Sequence, residues 1–208
     1  MYITRHGETD WNHAGRIQGH TDVPLNDLGR AQGEALARRL VEFNFDVIYS
    51  SDLRRARETA EMVAKQQRQP VPLIETPELR EICYGAWEGL TVAQVRERYA
   101  EDLASWSQGA RLGNPTEGES FTRVMGRAGR VCKEAAKKEM ALIVTHGGAL
   151  HAILCHVLGI PPHLRARFMT GNCALTAIDW PAGRDPCLVL LNDSCHLRDI
   201  EVSSPTIL

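Results

Sequence analysis

The chain has 208 residues, 43% of them hydrophobic, with no run of eighteen apolar residues, so it reads as one globular domain over residues 1–208 with no membrane span. Lysine plus arginine number 24 against 26 aspartate plus glutamate, so no global field recruits nucleic acid or anionic lipid, and any anion site must be local. The six cysteines carry no C-x-x-C pair, and the opening "MYITRHGE" lacks the basic-apolar-small order of a signal peptide; both point to a cytoplasmic protein of reduced thiols.

In chain order, residues 2–4 form a short apolar run that reads as a buried strand and hands over to Arg5, His6 and Gly7. Ala31, Ala35, Leu36, Leu40 and Phe43 then recur at helical spacing. A second strand is expected at 46–50, followed by a helix with Leu53, Ala56, Ala60 and Val63 on one face, then a strand at 71–74. "TVAQVRERY" reads as a helix because Thr91 and Gln94 make a capping box. Phe121, Val124, Ala128, Val131 and Ala135 give another helix, and 141–145 a strand that ends on His146. Gly147 and Gly148 open the helix "GALHAILCHVL"; strands at 174–180 and 188–192 follow, and "CHLRDIEVSSPTIL" reads as a loose polar tail. Strand and helix alternate, which predicts a three-layer α/β fold with a mainly parallel central sheet. Ligands of such sheets bind beyond the carboxyl ends of the strands, where both His-Gly pairs sit.

Three groups carry candidate chemistry. His6 and His146 each follow a strand and precede glycine, which lets backbone approach a ligand or take unusual dihedrals. Either alone reads equally as a loop histidine; the repeated pattern argues for a shared crevice. "SSDLRRARETA" places Arg54, Arg55 and Arg57 at a helix start, where the macrodipole disfavours cations and a phosphoryl group would relieve the penalty. For Arg54 and Arg57 the simpler reading is pairing with Glu58 and Glu61. "ELREICYGAWEG" carries Glu78, Glu81 and Glu88 near Tyr84 and Trp87; a desolvated carboxyl there suits a general acid, and physics alone does not choose among the three. His146, His151 and His156 recur every five residues, which turns successive ligands about 140° apart on a helix, so a metal site is not expected.

Taken together, "TRHGETDWN", "RIQGHTDVPLNDLGRAQ", "YSSDLRRARETA", "LREICYGAWEG", "PTEGESF" and "VTHGGAL" resemble the successive motifs of the histidine phosphatase (phosphoglycerate mutase-like) superfamily, in order, from residue 2 to about residue 150. The resemblance implies a phosphoglycerate mutase-like fold and a metal-independent site without cofactor. It implies that His6 is the nucleophile that forms a phosphohistidine, that Arg5 and Arg55 bind phosphate, that His146 donates to the phosphoryl oxygens, and that Glu81 is the proton donor. Asn12 matches a further phosphate contact, with Gln18 and Gly19 at the pocket edge and Gly147 beside them. Chemistry agrees in one respect: a neutral nucleophilic histidine needs its other nitrogen donating to a carbonyl.

The leading expectation is a phosphomonoesterase acting on a small phosphorylated metabolite, with no nucleic acid or membrane partner; a homodimer is left open. The alternative is phosphoglycerate mutase-type transfer, and a remoter one is a phospho-ligand binding protein without turnover. Mutases of the family generally carry a long insertion before the "GES" motif, whereas here Trp106 to Gly118 is only "WSQGARLGNPTEG". His20, Tyr84, Trp87, Arg111 and "RARFMTGNC" are candidates to line a cap over the substrate, although aromatic residues of this kind are more often packing.

Overall fold

The computed structural model describes residues 1–107 and 113–200. The chain begins with β1 (Tyr2–Arg5), α1 (Asp10–His13), α2 (Asp27–Leu40), β2 (Val47–Ser51), α3 (Arg54–Gln66) and β3 (Leu73–Thr76). It continues through α4 (Val92–Arg98), α5 (Ala100–Ser107), α6 (Phe121–Ala135), β4 (Ala141–Thr145) and α7 (Gly147–Leu158) to β5 (Leu175–Asp179) and β6 (Cys187–Asp193). One six-stranded sheet has the order β3-β2-β4-β1-β5-β6. The pairs from β3 to β1 are parallel, and β5 runs antiparallel to both of its neighbours. This is the mainly parallel α/β sheet expected from the strand-helix alternation. Among the described residues no helix is long and apolar enough to cross a membrane.

Strand alternation divides the core between two faces. Ile3, Val47 and Ile143 pack with Ala128, Val131, Leu150 and Ile153 of α6 and α7. Ile48, Leu142 and Val144 pack on the other face with Leu36 and Leu40 of α2 and Ala60 and Val63 of α3. A third cluster lies outside the sheet, where Trp87, Val95 and Trp106 from the segment between β3 and α6 meet Phe121, Val124 and Ala152. It roofs one end of the molecule.

The helix ends follow local chemistry. Asn26 accepts from Gly29 N at the start of α2, Thr91 and Gln94 form the expected capping box on α4, and Ser120 accepts from Arg123 N on α6. Two elements were not foreseen and one expectation needs correction. The turns α1 and α5 carry too little periodicity to be foreseen: α1 is a single capped turn on Thr9. The tail is not loose throughout, because Cys195–Leu197 forms a 3-10 turn that buries Leu197 against the α2 face, where an apolar side chain gains more than the polar residues around it lose. Residues 201–208 lie outside the described residues.

Gly7 has a different reason from the one expected. Its backbone φ is unexceptional; instead a Cβ there would lie 2.3 Å from Gly29 O, while one on Gly29 would lie 2.0 Å from Glu8 O. The two glycines let the start of α2 rest directly on the loop after β1. Gly29→Ala is therefore expected to cost about 3 kcal/mol in urea unfolding, since backbone on both sides must shift. Gly126→Ala, in an α6 position with nothing within 4 Å, is expected to stabilise by roughly 0.5–1 kcal/mol. Equal effects of the two changes would contradict the close-packing account.

Candidate active site

Because β4 lies between β1 and β2, the residues that end these three strands stand side by side. His6 donates its backbone N–H to Thr145 O at 2.9 Å, and its carbonyl accepts from Asn172 Nδ2 at 2.8 Å. The loop is further pinned by Gly7 N–H donating to Thr59 Oγ1 at 3.1 Å. With the backbone fixed, the ring has one orientation: Nδ1 lies 2.6 Å from Gly7 O. A carbonyl only accepts, so Nδ1 carries the proton and Nε2 presents its lone pair. Arg55 Nε donates to that lone pair at 3.3 Å. Burial, then the charges of Arg55 and Arg5, hold the His6 imidazole well below its ordinary pKa, so it is a neutral base.

His146 caps the start of α7 in an extended conformation, its ring 5.1 Å from that of His6 between centroids. Its Nε2 lies 2.8 Å from Ser51 Oγ, which already accepts from Leu53 N. The arrangement that also satisfies the hydroxyl proton has Ser51 donating to Nε2, which places the imidazole proton on Nδ1. That nitrogen is buried and has no partner among the described residues.

Arg5 and Arg55 complete the cluster at 8% and 0% exposure. Arg55 donates Nη1 to Thr21 O at 2.9 Å and Nη2 to Gly19 O at 2.8 Å; Arg5 donates Nη1 to Thr170 O at 3.2 Å and keeps a buried, unpartnered Nε. Neither forms an ion pair among the described residues, and burial lowers both pKa values, that of Arg55 to about 10. By contrast Arg54 is exposed and Arg57 half-buried, and they pair with Glu58 and Glu61, as their spacing suggests.

Of the three glutamates, the structure separates roles that composition left open. Glu88 accepts from His20 N, Thr21 N and Tyr84 N and so ties two loops together, while Glu78 faces Arg130 at the surface. Glu81 turns inward: Oε1 accepts from Ile82 N at 2.8 Å and Ala149 N at 3.0 Å, and Oε2 from Gly148 N at 3.0 Å. One lone pair of Oε2 remains for a proton. A Cβ on Gly148 would lie 2.6 Å from Oε1, so only glycine leaves room for this contact. The Glu81 loop is held from behind by Arg127, which donates to the carbonyls of Glu78, Arg80 and Glu81 at 2.7–2.8 Å and pairs with Glu119 at 2.7 Å.

These groups open into a cleft. Of the sequence candidates, Arg5, His6, Asn12, Gln18, Gly19, Arg55, Glu81 and Gly147 line it, and His146 lies behind His6. Asn12 Oδ1 accepts from Thr9 N at 3.2 Å, which leaves its Nδ2 as the donor end. Tyr84, Arg165, Phe168, Met169 and Thr170 form the facing wall with Trp106 and Phe121. Trp87 is not part of it but sits in the roof cluster, because its flat hydrocarbon surface packs on Tyr84 and Trp106. His20 bonds Glu81 O at 2.9 Å instead of facing ligand, and Arg111 lies outside the described residues. Sequence reasoning missed Ser51 and Arg127, and it placed Asn172 in the cap stretch, whereas its side chain holds the His6 carbonyl; the adjacent Ser-Ser at the end of β2 was the one available signal. Among the described residues no group of three or more His, Cys, Asp or Glu side chains is placed to hold a metal ion.

Over residues 1–194 the sequence matches the family described as histidine phosphatase superfamily (branch 1). The chain belongs to the histidine phosphatase superfamily. A Yersinia pestis protein named "Probable phosphoglycerate mutase GpmB" is 35% identical over 186 residues, covering 86% of this chain and 84% of that one. The mycobacterial glucosyl-3-phosphoglycerate phosphatase is 30% identical with a TM-score of 0.83, covering 93% of this chain and 99% of that one. The α-ribazole phosphatase from Shigella flexneri is 30% identical with a TM-score of 0.81, covering 92% and 95%.

Several imidazoles of this chain are buried, and burial lowers their pKa values. Burial is the leading cause of the lowered pKa at His6, His146, His151, His156 and His196, and it takes His151 to about 4. The unfolded chain therefore binds more protons below about pH 6.5, so stability is complete above that pH and is lost as pH falls toward the depressed values. Urea unfolding is expected to weaken from pH 7 to pH 5, with a slope of up to about 1.4 kcal/mol per pH unit for each deeply buried imidazole. A flat profile would show that the rings stay charged in the fold.

Proposed function

We propose that this protein is a phosphomonoesterase for a small phosphorylated metabolite, acting through a phosphohistidine on His6. The observation that carries the reading is His6 itself: a neutral imidazole, its Nδ1 proton fixed on Gly7 O, presents the Nε2 lone pair beside two buried guanidinium groups without ion-pair partners. Phosphoryl transfer needs mainly positioning and positive charge around three equatorial oxygens. Arg5, Arg55 and the orphan Nδ1–H of His146 offer donors of that kind, and Asn12 Nδ2 offers one more.

In this reading Nε2 attacks phosphorus, the ester P–O bond breaks, and the leaving oxygen takes a proton from Oε2 of Glu81. Water then attacks the phosphohistidine, giving its proton back to Glu81, and the N–P bond breaks to return neutral His6. The named phosphatase neighbours support hydrolysis, and so does the short connection from Trp106 to Gly118. The Yersinia relative's name supports the second reading, transfer to another hydroxyl, which shares the first half-reaction.

His6→Ala is expected to lower p-nitrophenyl phosphate hydrolysis by at least about a thousandfold and to abolish trapping of labelled phosphate on the protein. Retained activity would name another nucleophile. Glu81→Gln is expected to cost about 10²–10⁴ on alkyl phosphates and within about tenfold on the aryl ester, whose leaving group needs little protonation. Equal losses would remove Glu81 from the acid role. With phosphoglycerate as substrate, free phosphate in place of isomerised acid separates hydrolysis from mutase transfer.

A further inference from the structure

We infer that Arg165 forms a second anion subsite in the same cleft, so that the preferred substrate is a phosphate ester whose alcohol part carries a carboxylate. The inference rests on the phosphatase reading above and deepens it.

Arg165 belongs to the 3-10 turn Pro162–Arg167 that follows α7, lines the cleft, and is 6% exposed. Its guanidinium lies over the rings of Trp106 and Phe121, 4.8 and 5.2 Å from their centroids. Two of its five N–H groups are used on carbonyls, Pro162 O at 3.2 Å and Trp106 O at 2.8 Å. Among the described residues no carboxylate pairs with it, whereas the buried Arg127 has Glu119. The neighbours that would offset its charge are the Tyr84 phenol and the Cys155 thiol, and burial pushes both upward, so they stay neutral near pH 7.

Burying a guanidinium without a counter-ion is costly, and a staple from the turn to Trp106 needs donors but no charge. The phosphoryl group does not supply the missing anion, since Arg5, Arg55 and His146 already surround His6. Tyr84 and His151 line the same cleft as Arg5 and Arg165 and feel the charge of both, so the two guanidinium centres share one cavity into which an alcohol part could extend. The two carbonyl bonds leave three of the guanidinium N–H groups without a partner, and a planar carboxylate suits a guanidinium fork.

Phosphate release on two matched pairs tests this: 3-phosphoglycerate against glycerol 3-phosphate, and O-phosphoserine against O-phosphoethanolamine, with p-nitrophenyl phosphate alongside. The wild-type protein is expected to favour the carboxylated member of at least one pair by about tenfold or more in kcat/KM. Arg165→Met should bring that ratio to within about twofold of one, mainly by raising KM for the acid, and Arg165→Lys should keep an intermediate ratio. A ratio taken within one preparation does not depend on how much of it is folded. A merely structural Arg165 lowers both members alike, and an unchanged ratio in the Met variant overturns the subsite. Wild-type ratios near one in both pairs, with aryl phosphate still hydrolysed, also overturn it and leave the phosphatase reading standing. Phosphate release from none of the five esters overturns both.

Discussion

Positive charge buried without a carboxylate in ion-pair contact among the described residues is the constraint around which this molecule is organised; Glu81 is the leading opposite charge on Arg5 and Arg55 but is bonded elsewhere. Arg5, Arg55 and Arg165 all sit at or below 8% exposure, and none has an ion pair among the described residues. What holds each in place is main-chain carbonyl oxygen: Thr170 O for Arg5, Thr21 O and Gly19 O for Arg55, Pro162 O and Trp106 O for Arg165. A carbonyl dipole satisfies donors yet leaves the net charge in the cleft, whereas a carboxylate partner would cancel it and compete with an anionic ligand. Burial first, and then the same guanidinium charges, keep His6 neutral, because protonating a desolvated imidazole beside two cations is unfavourable. One electrostatic arrangement thus prepares both the ligand's seat and the lone pair that faces it.

The topology explains how residues 6 and 146 meet. The chain leaves β1, crosses over the place of β4, and forms β2; β4 later fills the gap between them. Parallel pairing in register then aligns Arg5 with Thr145 and Ser50 with Val144, so the residues that follow these strands emerge at one edge. Neighbouring strands stand about 4.8 Å apart, which is close to the separation of the two imidazole rings. Ser51 bonding His146 and Thr145 bonding His6 are consequences of that register.

Much of this was legible because it rests on local rules. The apolar runs at 141–145 and 46–50 can only be buried strands, and the 3.6-residue spacing of Phe121 to Ala135 fits a single α6 face. Arg54 and Arg57 could be separated from Arg55 by the glutamates four residues on. Other features depend on long-range placement. Gly7 looked like a ligand contact but answers to Gly29, 22 positions away, through a backbone contact that no pattern announces. Arg127 reads as one more polar residue on a helix; that it donates to three carbonyls of the Glu81 loop is visible only after α6 is docked. The choice of Glu81 over Glu78 and Glu88 likewise came from the resemblance, since all three share the same local composition.

The site divides into parts with different mechanical support. His146 heads α7, and Glu81 is bonded to the Gly148 and Ala149 amides of that same helix, so the carboxyl and the imidazole are both fixed to one rigid element. Arg127, on the neighbouring α6, clamps the Glu81 backbone against it. Arg165 is supported otherwise, on a 3-10 turn and on Trp106 of α5, within the roof rather than the sheet. Loops and short turns vary more freely than the elements they join. Changes in the roof can therefore reshape that wall of the cleft while the sheet-borne residues, fixed by strand register, keep their places.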